Sequence, residues 1–361
     1  MPDSPPPWDI PSSWSPALGA ARAGGTLFLI GGVDSGKSTL AAILANAAFD
    51  AGRATAVVDA DTGQSDIGPP ACIGMARVTA PVRSLEDLPA EALDFVGSSS
   101  PVGHLLNAAA GAHAMALAAR ATGAETVIVD TCGLISGGVA RALKSAKIRL
   151  LDPDVLIALQ AEDEAEHLLA PYARRPRPRV IRLRQSRRVR PRTRDQRTAR
   201  RQAKFRAYFA AARAVAVTWD HLPMDNTAWT TGEPAPGHVR AFAEERLECE
   251  VHHAEVRADG LLLIVSGRPS AAGLGSLAQD FGGAARAIDT GVLDHLLVGF
   301  LGERGETLGL GIVEAVDFRA RTLTIYTPVP EPEAAKGLRL GTVRLARDGT
   351  ELGWVDPEDI A

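Results

Sequence analysis

Residues 31–39, Gly-Gly-Val-Asp-Ser-Gly-Lys-Ser-Thr, constrain this chain more than any other segment. Glycines at both ends of the loop let the backbone curl so that successive N–H groups point at phosphate oxygens. An apolar run at 26–30 precedes the loop and a run of helix formers at 37–49 follows it. This order predicts a strand, a phosphate-binding loop and a helix whose N-terminus faces the phosphates, rather than a glycine-rich turn with a chance lysine. The predicted nucleotide-binding residues are Gly31, Val33, Asp34, Ser35, Gly36, Lys37, Ser38 and Thr39.

Length and composition predict a globular protein of two domains. The 361 residues can bury a large core, and no apolar run approaches 18 residues, so no membrane-spanning helix is expected. The Pro- and Ser-rich start lacks the layout of a signal peptide and predicts a flexible arm over residues 1–23. Three cysteines without metal-binding spacing indicate a reducing compartment and a cytoplasmic location.

Acidic residues follow two predicted strands. A strand at 54–58 leads into Asp59, Asp61 and Gln64, and the strand at 126–130 ends in Asp130. Carboxylates at i and i+2 point to one side of a sheet, at the carboxyl edge where α/β folds bind ligands. One can hold Mg²⁺ and another can accept a proton from a hydroxyl, although a solubilising acidic loop is the alternative. The predicted metal ligands are Ser38, Asp59 and Asp130.

The remaining runs before residue 184 alternate between strands and helices. Strands are predicted at 93–96, 154–159 and 180–183, and helices at 102–121, 137–149 and 162–170. This alternation predicts an α/β fold, a P-loop NTPase parallel sheet with helices on both faces.

A basic block at 174–206 interrupts an otherwise acidic chain. It contains fifteen Arg and one Lys against Asp195, a net charge of +15, whereas the whole chain carries −4. Pro191 suits the first turn of a helix, along which Arg194, Arg197 and Arg201 fall on one face, with Arg190 preceding them. Such a block would repel itself unless anions neutralise it, so we expect a phosphate-binding lid over about 184–206 rather than a merely solvated face.

The pattern of apolar and turn-forming residues changes near residue 213. Short apolar runs around 295–300, 309–316 and 322–326 alternate with Gly- and Asp-containing turns. They predict a smaller β-rich C-terminal domain over 213–361, after a P-loop domain over 24–212. The pair His252-His253 lacks a third ligand at a usable spacing and is expected at the surface.

The ordered set of motifs resembles the polynucleotide 5′-hydroxyl kinases of the pre-mRNA 3′-cleavage and pre-ribosomal RNA processing machineries, in a short prokaryotic-type form. The resemblance runs from about residue 24 to the C-terminus. The motifs that carry it are residues 59–64 (DADTGQ), 95–101 (FVGSSSP) and 130–133 (DTCG), followed by the arginine-rich lid. Where the family usually continues the last turn with Trp, this chain has Leu134.

The resemblance implies roles for individual residues. Asp61 would be the general base for a substrate 5′-hydroxyl, Thr131 and Gly133 would clasp the phosphate chain, and Arg190 and Arg194 would contact the transferring phosphate. The expected catalytic residues are therefore Lys37, Asp61, Arg190 and Arg194. The expected nucleic-acid contacts are Asp59, Gln64, Ser98, Ser99, Ser100, Arg197 and Arg201.

The resulting hypothesis is an ATP- and Mg²⁺-dependent kinase that phosphorylates the 5′-hydroxyl end of RNA or DNA, with GTP open as a second donor. The substrate would be single-stranded or end-exposed nucleic acid, and no membrane partner is expected. The alternatives are a P-loop NTPase switch whose arginines dock a protein, a small-molecule kinase for an acidic metabolite, and a non-enzymatic RNA-binding scaffold.

Overall fold

The computed structural model describes residues 8–220 and 222–360. The chain forms two compact units, Met1–Lys204 and Phe205–Ala361. The division lies within the helix Arg194–Tyr208, ahead of the expected boundary after residue 212.

The first unit is built on a seven-stranded sheet with the order β4-β3-β2-β5-β1-β6-β7. The strands from β2 to β7 in this order are parallel, and β3 and β4 add an antiparallel edge. Its strands are β1 (Gly25–Ile30), β2 (Thr55–Ala60), β3 (Cys72–Arg77), β4 (Ala92–Phe95), β5 (Thr126–Thr131), β6 (Val155–Gln160) and β7 (Arg179–Arg184).

The central strands are short apolar runs because both of their faces are covered. All residues of β2, β5 and β6 are buried. Every strand predicted in this region is present, but β3 was missed. The strand β2 runs further than predicted, so Asp59 lies within the strand rather than after it. Asp130 lies near the end of β5, which extends one residue beyond it to Thr131.

Helices cover both faces of this sheet, as predicted. One apolar cluster joins the sheet to α1 and α2, and another joins it to α3 and α4. The helices are α1 (Ser15–Ala23), α2 (Lys37–Asp50), α3 (Leu105–Ala121), α4 (Gly137–Leu151), α5 (Glu166–Leu169) and α6 (Arg194–Tyr208). The acidic helix expected at 162–170 is only the single turn of α5.

The N-terminal segment differs from the expected flexible arm. A 3₁₀ turn over Ser12–Trp14 leads directly into α1. Trp14 is 3% exposed, and Ala17, Ala20 and Ala21 are buried beside it. Small side chains let this helix pack closely, which corrects the prediction for residues 12–23. Residues 1–7 of the expected arm lie outside the described residues.

The second unit contains two sheets and is rich in strands, as expected. One sheet has the order β18-β17-β14-β15-β16-β8, with β9 paired to β17, and the other has the order β10-β11-β12-β13. Its strands are β8 (Arg213–Thr218), β9 (Met224–Asp225), β10 (Glu233–Pro234), β11 (Glu250–Arg257), β12 (Gly260–Ser266), β13 (Ala284–Asp289), β14 (Leu296–Leu301), β15 (Thr307–Asp317), β16 (Thr322–Thr327), β17 (Gly337–Leu345) and β18 (Glu351–Trp354). Its helices are α7 (Gly237–Leu247) and α8 (Ala271–Asp280).

The histidine pair of the second unit, expected at the surface, is half-buried. The side chain of His253 is 12% exposed, and its Nε2 atom lies 2.9 Å from the Glu255 carboxylate. His252 stacks on Phe318. No metal-binding cluster of three or more His, Cys, Asp or Glu occurs among the described residues. Within the same residues, no helix has the length and apolarity to cross a bilayer.

Candidate active site

The phosphate-binding loop follows β1 and needs glycine at two positions for different reasons. A Cβ at Gly31 would lie 2.5 Å from the Leu159 carbonyl oxygen, so no side chain fits there. Gly36 has φ +95°, a left-handed conformation that glycine adopts readily, just before α2 begins at Lys37. The loop is therefore shaped by close approach at one end and by backbone conformation at the other.

Lys37 points into the loop that precedes it. Its Nζ atom donates to the Gly32 carbonyl at 2.7 Å and to the Ser35 hydroxyl at 3.3 Å. Burial lowers the pKa of Lys37, and the charge of Asp130 opposes that effect. The ammonium group is thus held inside the loop by Gly32 and Ser35.

Ser38 and Asp130 form one pair across the carboxyl edge of the sheet. The Ser38 hydroxyl donates to Asp130 Oδ2 at 2.5 Å, and the Thr131 amide donates to Oδ1 at 2.9 Å. Burial raises the pKa of Asp130 to about 6, while Lys37 and Ser38 act to lower it. These two residues, predicted as metal ligands from distant parts of the sequence, are brought together.

Asp59 and Asp61 differ in what their carboxylates contact. Asp59 is 1% exposed, and it accepts hydrogen bonds from the backbone amides of Asp61, Asp66 and Ile67. Burial and the nearby carboxylates of Asp66, Asp130 and Asp61 raise the pKa of Asp59 well above its usual value. Asp59 does not line the cleft. It shapes the loop after β2, and the structure does not place it for metal or substrate contact.

Asp61 lines the cleft and uses one carboxylate oxygen for the same loop. Its Oδ1 atom accepts from the amides of Gly63 and Gln64, at 3.0 and 3.1 Å. Among the described residues, no donor contacts its Oδ2 atom. Asp61 is therefore held in position by one oxygen and has the other available for a ligand.

The turn after β5 lies directly against the phosphate-binding loop. A Cβ at Gly133 would be 2.5 Å from Val33 Cα, so only glycine allows this approach. The Thr131 hydroxyl donates to the Leu29 carbonyl at 2.7 Å and is 1% exposed. Thr131 thus lines the cleft through its backbone, and its side chain fixes β5 to β1.

Two buried lysines on α4 support these strand ends and were not predicted. Lys144 Nζ donates to Thr131 Oγ1 at 2.6 Å and to the Cys132 carbonyl at 2.7 Å. Lys147 Nζ donates to the Ala60 carbonyl at 3.2 Å, and burial lowers its pKa to about 8. Lysines at i and i+3 on a predicted helix were the available signal, but spacing alone does not separate a buried pair from a solvated one.

The lid consists of a loop over residues 185–193, called the lid loop, and the following helix α6. Thr193 and Gln196 cap the helix: the Gln196 amide donates to Thr193 Oγ1, and the Thr193 amide donates to Gln196 Oε1. The helix therefore begins at Arg194, and Pro191 precedes it instead of lying in its first turn. The lid contacts the phosphate-binding loop at Asp34, whose Oδ2 atom accepts from Arg197 Nη1 and the Arg192 amide, both at 3.0 Å.

A second set of ion pairs joins the lid helix to the loop after β2. Arg200 contacts Asp66 at 2.6 Å and also contacts Glu86. Lys204 lies 3.0 Å from Glu86. Burial raises the pKa of Asp66, and Arg200 and Lys204 oppose that effect. The protein's own carboxylates thus neutralise part of the basic block, whereas the sequence analysis had assigned that role to bound anions.

The other predicted residues divide between the cleft and its surroundings. Arg190, Arg201, Gln64 and Ser100 line the cleft, but Ser98, Ser99 and Arg194 do not. Gln64 Nε2 donates to the Arg197 carbonyl at 3.2 Å, and its buried Oε1 atom has no partner among the described residues. Ser98 accepts from the Ser100 amide and supports that turn.

These residues surround a cleft of about 890 Å³ within the first unit. The cleft is lined by the phosphate-binding loop, by the turns after β2 and β5, by the lid arginines and by the N-terminal segment at Trp8 and Asp9. Sequence reasoning missed Arg200, although its i+3 spacing from Arg197 was visible, and it missed Trp8 because that residue was assigned to a flexible arm.

Comparison with known proteins agrees with this arrangement. Residues 31–211 match the family model described as mRNA cleavage and polyadenylation factor CLP1 P-loop. A polyribonucleotide 5′-hydroxyl-kinase of Methanocaldococcus jannaschii is 30% identical, with 92% of this chain and 91% of that protein aligned. The corresponding protein of Pyrococcus horikoshii is 31% identical, with 92% and 89% aligned.

A solved structure shows the same fold at lower identity. The wild-type Clp1p–Pcf11p complex aligns with a TM-score of 0.56 and 14% identity, covering 91% of this chain and 77% of that chain. The family match, the near-complete alignment with the archaeal proteins and the motifs gathered around the cleft lead to one conclusion: this chain belongs to the CLP1 P-loop family, as its resemblance to the polynucleotide 5′-hydroxyl kinases predicted.

Proposed function

We propose that this protein transfers the γ-phosphate of ATP to the 5′-hydroxyl end of RNA or DNA. The observation that carries the proposal is the placement of Asp61. Asp61, whose Oδ2 atom has no donor among the described residues, lines the same cleft as Lys37, Ser38 and the lid arginines. The names of the archaeal relatives indicate the same reaction for those proteins.

In this proposal the floor of the cleft binds the donor. Backbone amides of the phosphate-binding loop and Lys37 hold the β- and γ-phosphates. The Ser38 hydroxyl and the Asp130 carboxylate are hard oxygen donors 2.5 Å apart, a set that fits Mg²⁺. Bound there, the ion would neutralise charge on the phosphates.

Asp61 acts on the acceptor. The 5′-hydroxyl oxygen attacks the γ-phosphorus, its proton passes to Asp61 Oδ2, and ADP leaves with the electrons of the broken P–O bond. Arg190 lines the cleft and has no carboxylate partner among the described residues, and in this proposal it stabilises the charge on the moving phosphoryl group. Arg194 does not line the cleft and would reach that group only if the lid moved.

The acceptor strand would be held through its backbone phosphates by the lid loop. The side chains of Arg187, Arg188 and Arg192 are exposed and lack carboxylate partners within the described part of the chain. Arg197, expected to bind the strand, is instead engaged with Asp34. The buried acceptor oxygen of Gln64 is suited to a hydroxyl donor near the strand end.

The experiment is transfer from γ-labelled ATP to matched oligonucleotides with a 5′-hydroxyl or a 5′-phosphate. We expect labelling of the 5′-hydroxyl strand only, and a loss of about 10³-fold or more in Lys37→Ala. The 5′-phosphate strand is the matched control for the acceptor. ATP hydrolysis without labelling of either strand would favour a switch protein, and labelling of a small acid in their place would favour a metabolite kinase. Either result would contradict the proposal.

A further inference from the structure

The cleft has an aromatic side chain that the proposed reaction does not use. Trp8 lines the cleft and is half-buried, and its inner part packs against the apolar cluster of α1, α2 and the sheet. Asp9, Ser186, Arg188 and Val189 line the cleft with it. A half-buried tryptophan in a polar cleft presents apolar surface to whatever enters that cleft.

The segment that carries Trp8 is tied to the carboxyl end of β7. The Trp14 indole N–H donates to the Arg184 carbonyl at 2.9 Å. The Ser186 hydroxyl donates to Asp9 Oδ2 at 3.1 Å. One anchor lies immediately beside Trp8 in the chain and the other lies six residues on, so the position of the indole is set by the fold.

The sheet order gives the phosphate-binding loop two different sides. The loop follows β1, and β5 and β2, which lead to Asp130 and Asp61, lie on one side of it. With the reacting γ-phosphate near those acids, the nucleoside would extend toward β6 and β7 on the other side, where the Trp8 segment is anchored.

Val189 supports this direction. A Cβ at Gly36 would lie 3.4 Å from Val189 Cγ2 and 3.8 Å from Leu159 Cδ2, so the middle of the lid loop lies against the phosphate-binding loop near the end of β6. We propose that Trp8 is the stacking platform for the purine base of the phosphate donor, with Val189 beside it in the cleft. This inference rests on the proposed nucleotide-dependent function and adds a base-binding site to it.

Stacking predicts a weak preference between purines. Every base has a π-face, so an indole platform tolerates adenine and guanine alike. We therefore expect ADP and GDP to bind within a few-fold of each other. The question of ATP against GTP, which the sequence left open, is then answered by the chemistry of the platform.

The test measures binding of ADP, GDP and pyrophosphate, each with Mg²⁺, by titration calorimetry. Pyrophosphate contacts the phosphate-binding loop but has no base. Trp8→Ala should weaken ADP and GDP about 5- to 100-fold and leave pyrophosphate within about twofold. Trp8→Phe, which keeps a stacking ring, should recover most of that loss. Trp354→Ala, at a tryptophan 57% exposed in the second unit, is the matched control and should change none of the three.

Two results would overturn the inference. One is ADP binding by Trp8→Ala that equals wild type. The other is an equal loss for ADP and pyrophosphate in both Trp8 variants, which would show that Trp8 only supports the fold. These binding data need no acceptor strand, so a base-dependent loss stands even if transfer to 5′-hydroxyl ends fails, and the transfer assay can succeed while Trp8 proves irrelevant.

Discussion

The lid loop and the lid helix carry similar positive charge, but their basic side chains differ in whether they contact carboxylates of the protein. In the helix, Arg197, Arg200 and Lys204 contact Asp34, Asp66 and Glu86. In the loop, the guanidinium groups of Arg187, Arg188, Arg190 and Arg192 contact no carboxylate among the described residues. The ion pairs of the helix therefore hold the lid in place, whereas the arginines of the loop remain available for an anionic ligand.

The largest effect is expected at Arg190, which lines the cleft and contacts no carboxylate among the described residues. Arg190→Ala should lower kcat about 10³-fold with a much smaller change in oligonucleotide KM, because its contact is strongest in the transition state. Arg190→Lys should restore little of the lost kcat, because lysine lacks the planar guanidinium group that binds a phosphoryl group through two N–H donors. Steady-state kinetics over both substrates measure this. A change in KM alone would show that the lid loop only attracts the oligonucleotide through its charge. That result would weaken the contrast between the lid loop and the lid helix.

A smaller effect is expected from the pair that joins the lid helix to the phosphate-binding loop. The side chains of Asp34 and Arg197 are 12% and 29% exposed, so their interaction is partly shielded from water. A double-mutant cycle in the free energy of unfolding with Asp34→Asn and Arg197→Ala should give a coupling of about 0.5–1.5 kcal/mol. Asn suits position 34 because φ is +53° there.

The matched control for that cycle is Asp195→Ala with Arg197→Ala. Asp195 is exposed on the same helix and takes no part in the pair at Asp34. We expect no coupling between these two changes. A coupling as large as that of Asp34 with Arg197 would show that the helix responds to net charge and not to this particular contact.

The smallest effect is expected from the outer arginines of the lid loop. Arg187→Ala and Arg188→Ala should each flatten the dependence of log KM for a single-stranded oligonucleotide on log salt by about 0.7, with kcat unchanged. Arg174→Ala, at an exposed arginine outside the lid, is the comparison. An unchanged salt dependence in both loop variants would place the acceptor strand elsewhere.

The sequence predicted what depends on local pattern. The phosphate-binding loop, the strands of the parallel sheet and the acids at their carboxyl ends were all visible as short motifs with a known geometry. The pairing of Ser38 with Asp130 followed from that geometry, because parallel strands end at one edge. The family was visible in the same motifs.

What the sequence could not show were contacts between distant segments. Nothing local distinguishes Asp59 from Asp61, yet backbone amides contact both oxygens of Asp59, whereas no donor among the described residues contacts Asp61 Oδ2. The partners of Arg200 lie in the loop after β2 and the turn at 84–87, more than a hundred residues away. The packing of Trp8 and Trp14 was not predicted, because the Pro- and Ser-rich composition around them indicates a flexible arm.

The most direct test of the contrast between the two halves of the lid measures two quantities on the same preparations of Arg190→Ala and Arg200→Ala. These are the single-turnover rate of γ-phosphate transfer to a 5′-hydroxyl strand and the free energy of unfolding. Arg190→Ala should lose about 10³-fold in rate and keep wild-type stability within about 0.5 kcal/mol. Arg200→Ala should lose about 1–2 kcal/mol of stability, because it leaves the buried Asp66 carboxylate poorly paired, and keep its rate within about tenfold. Equal losses of rate in the two variants, or an Arg200→Ala protein as stable as wild type, would contradict the division between ligand-facing and lid-holding arginines.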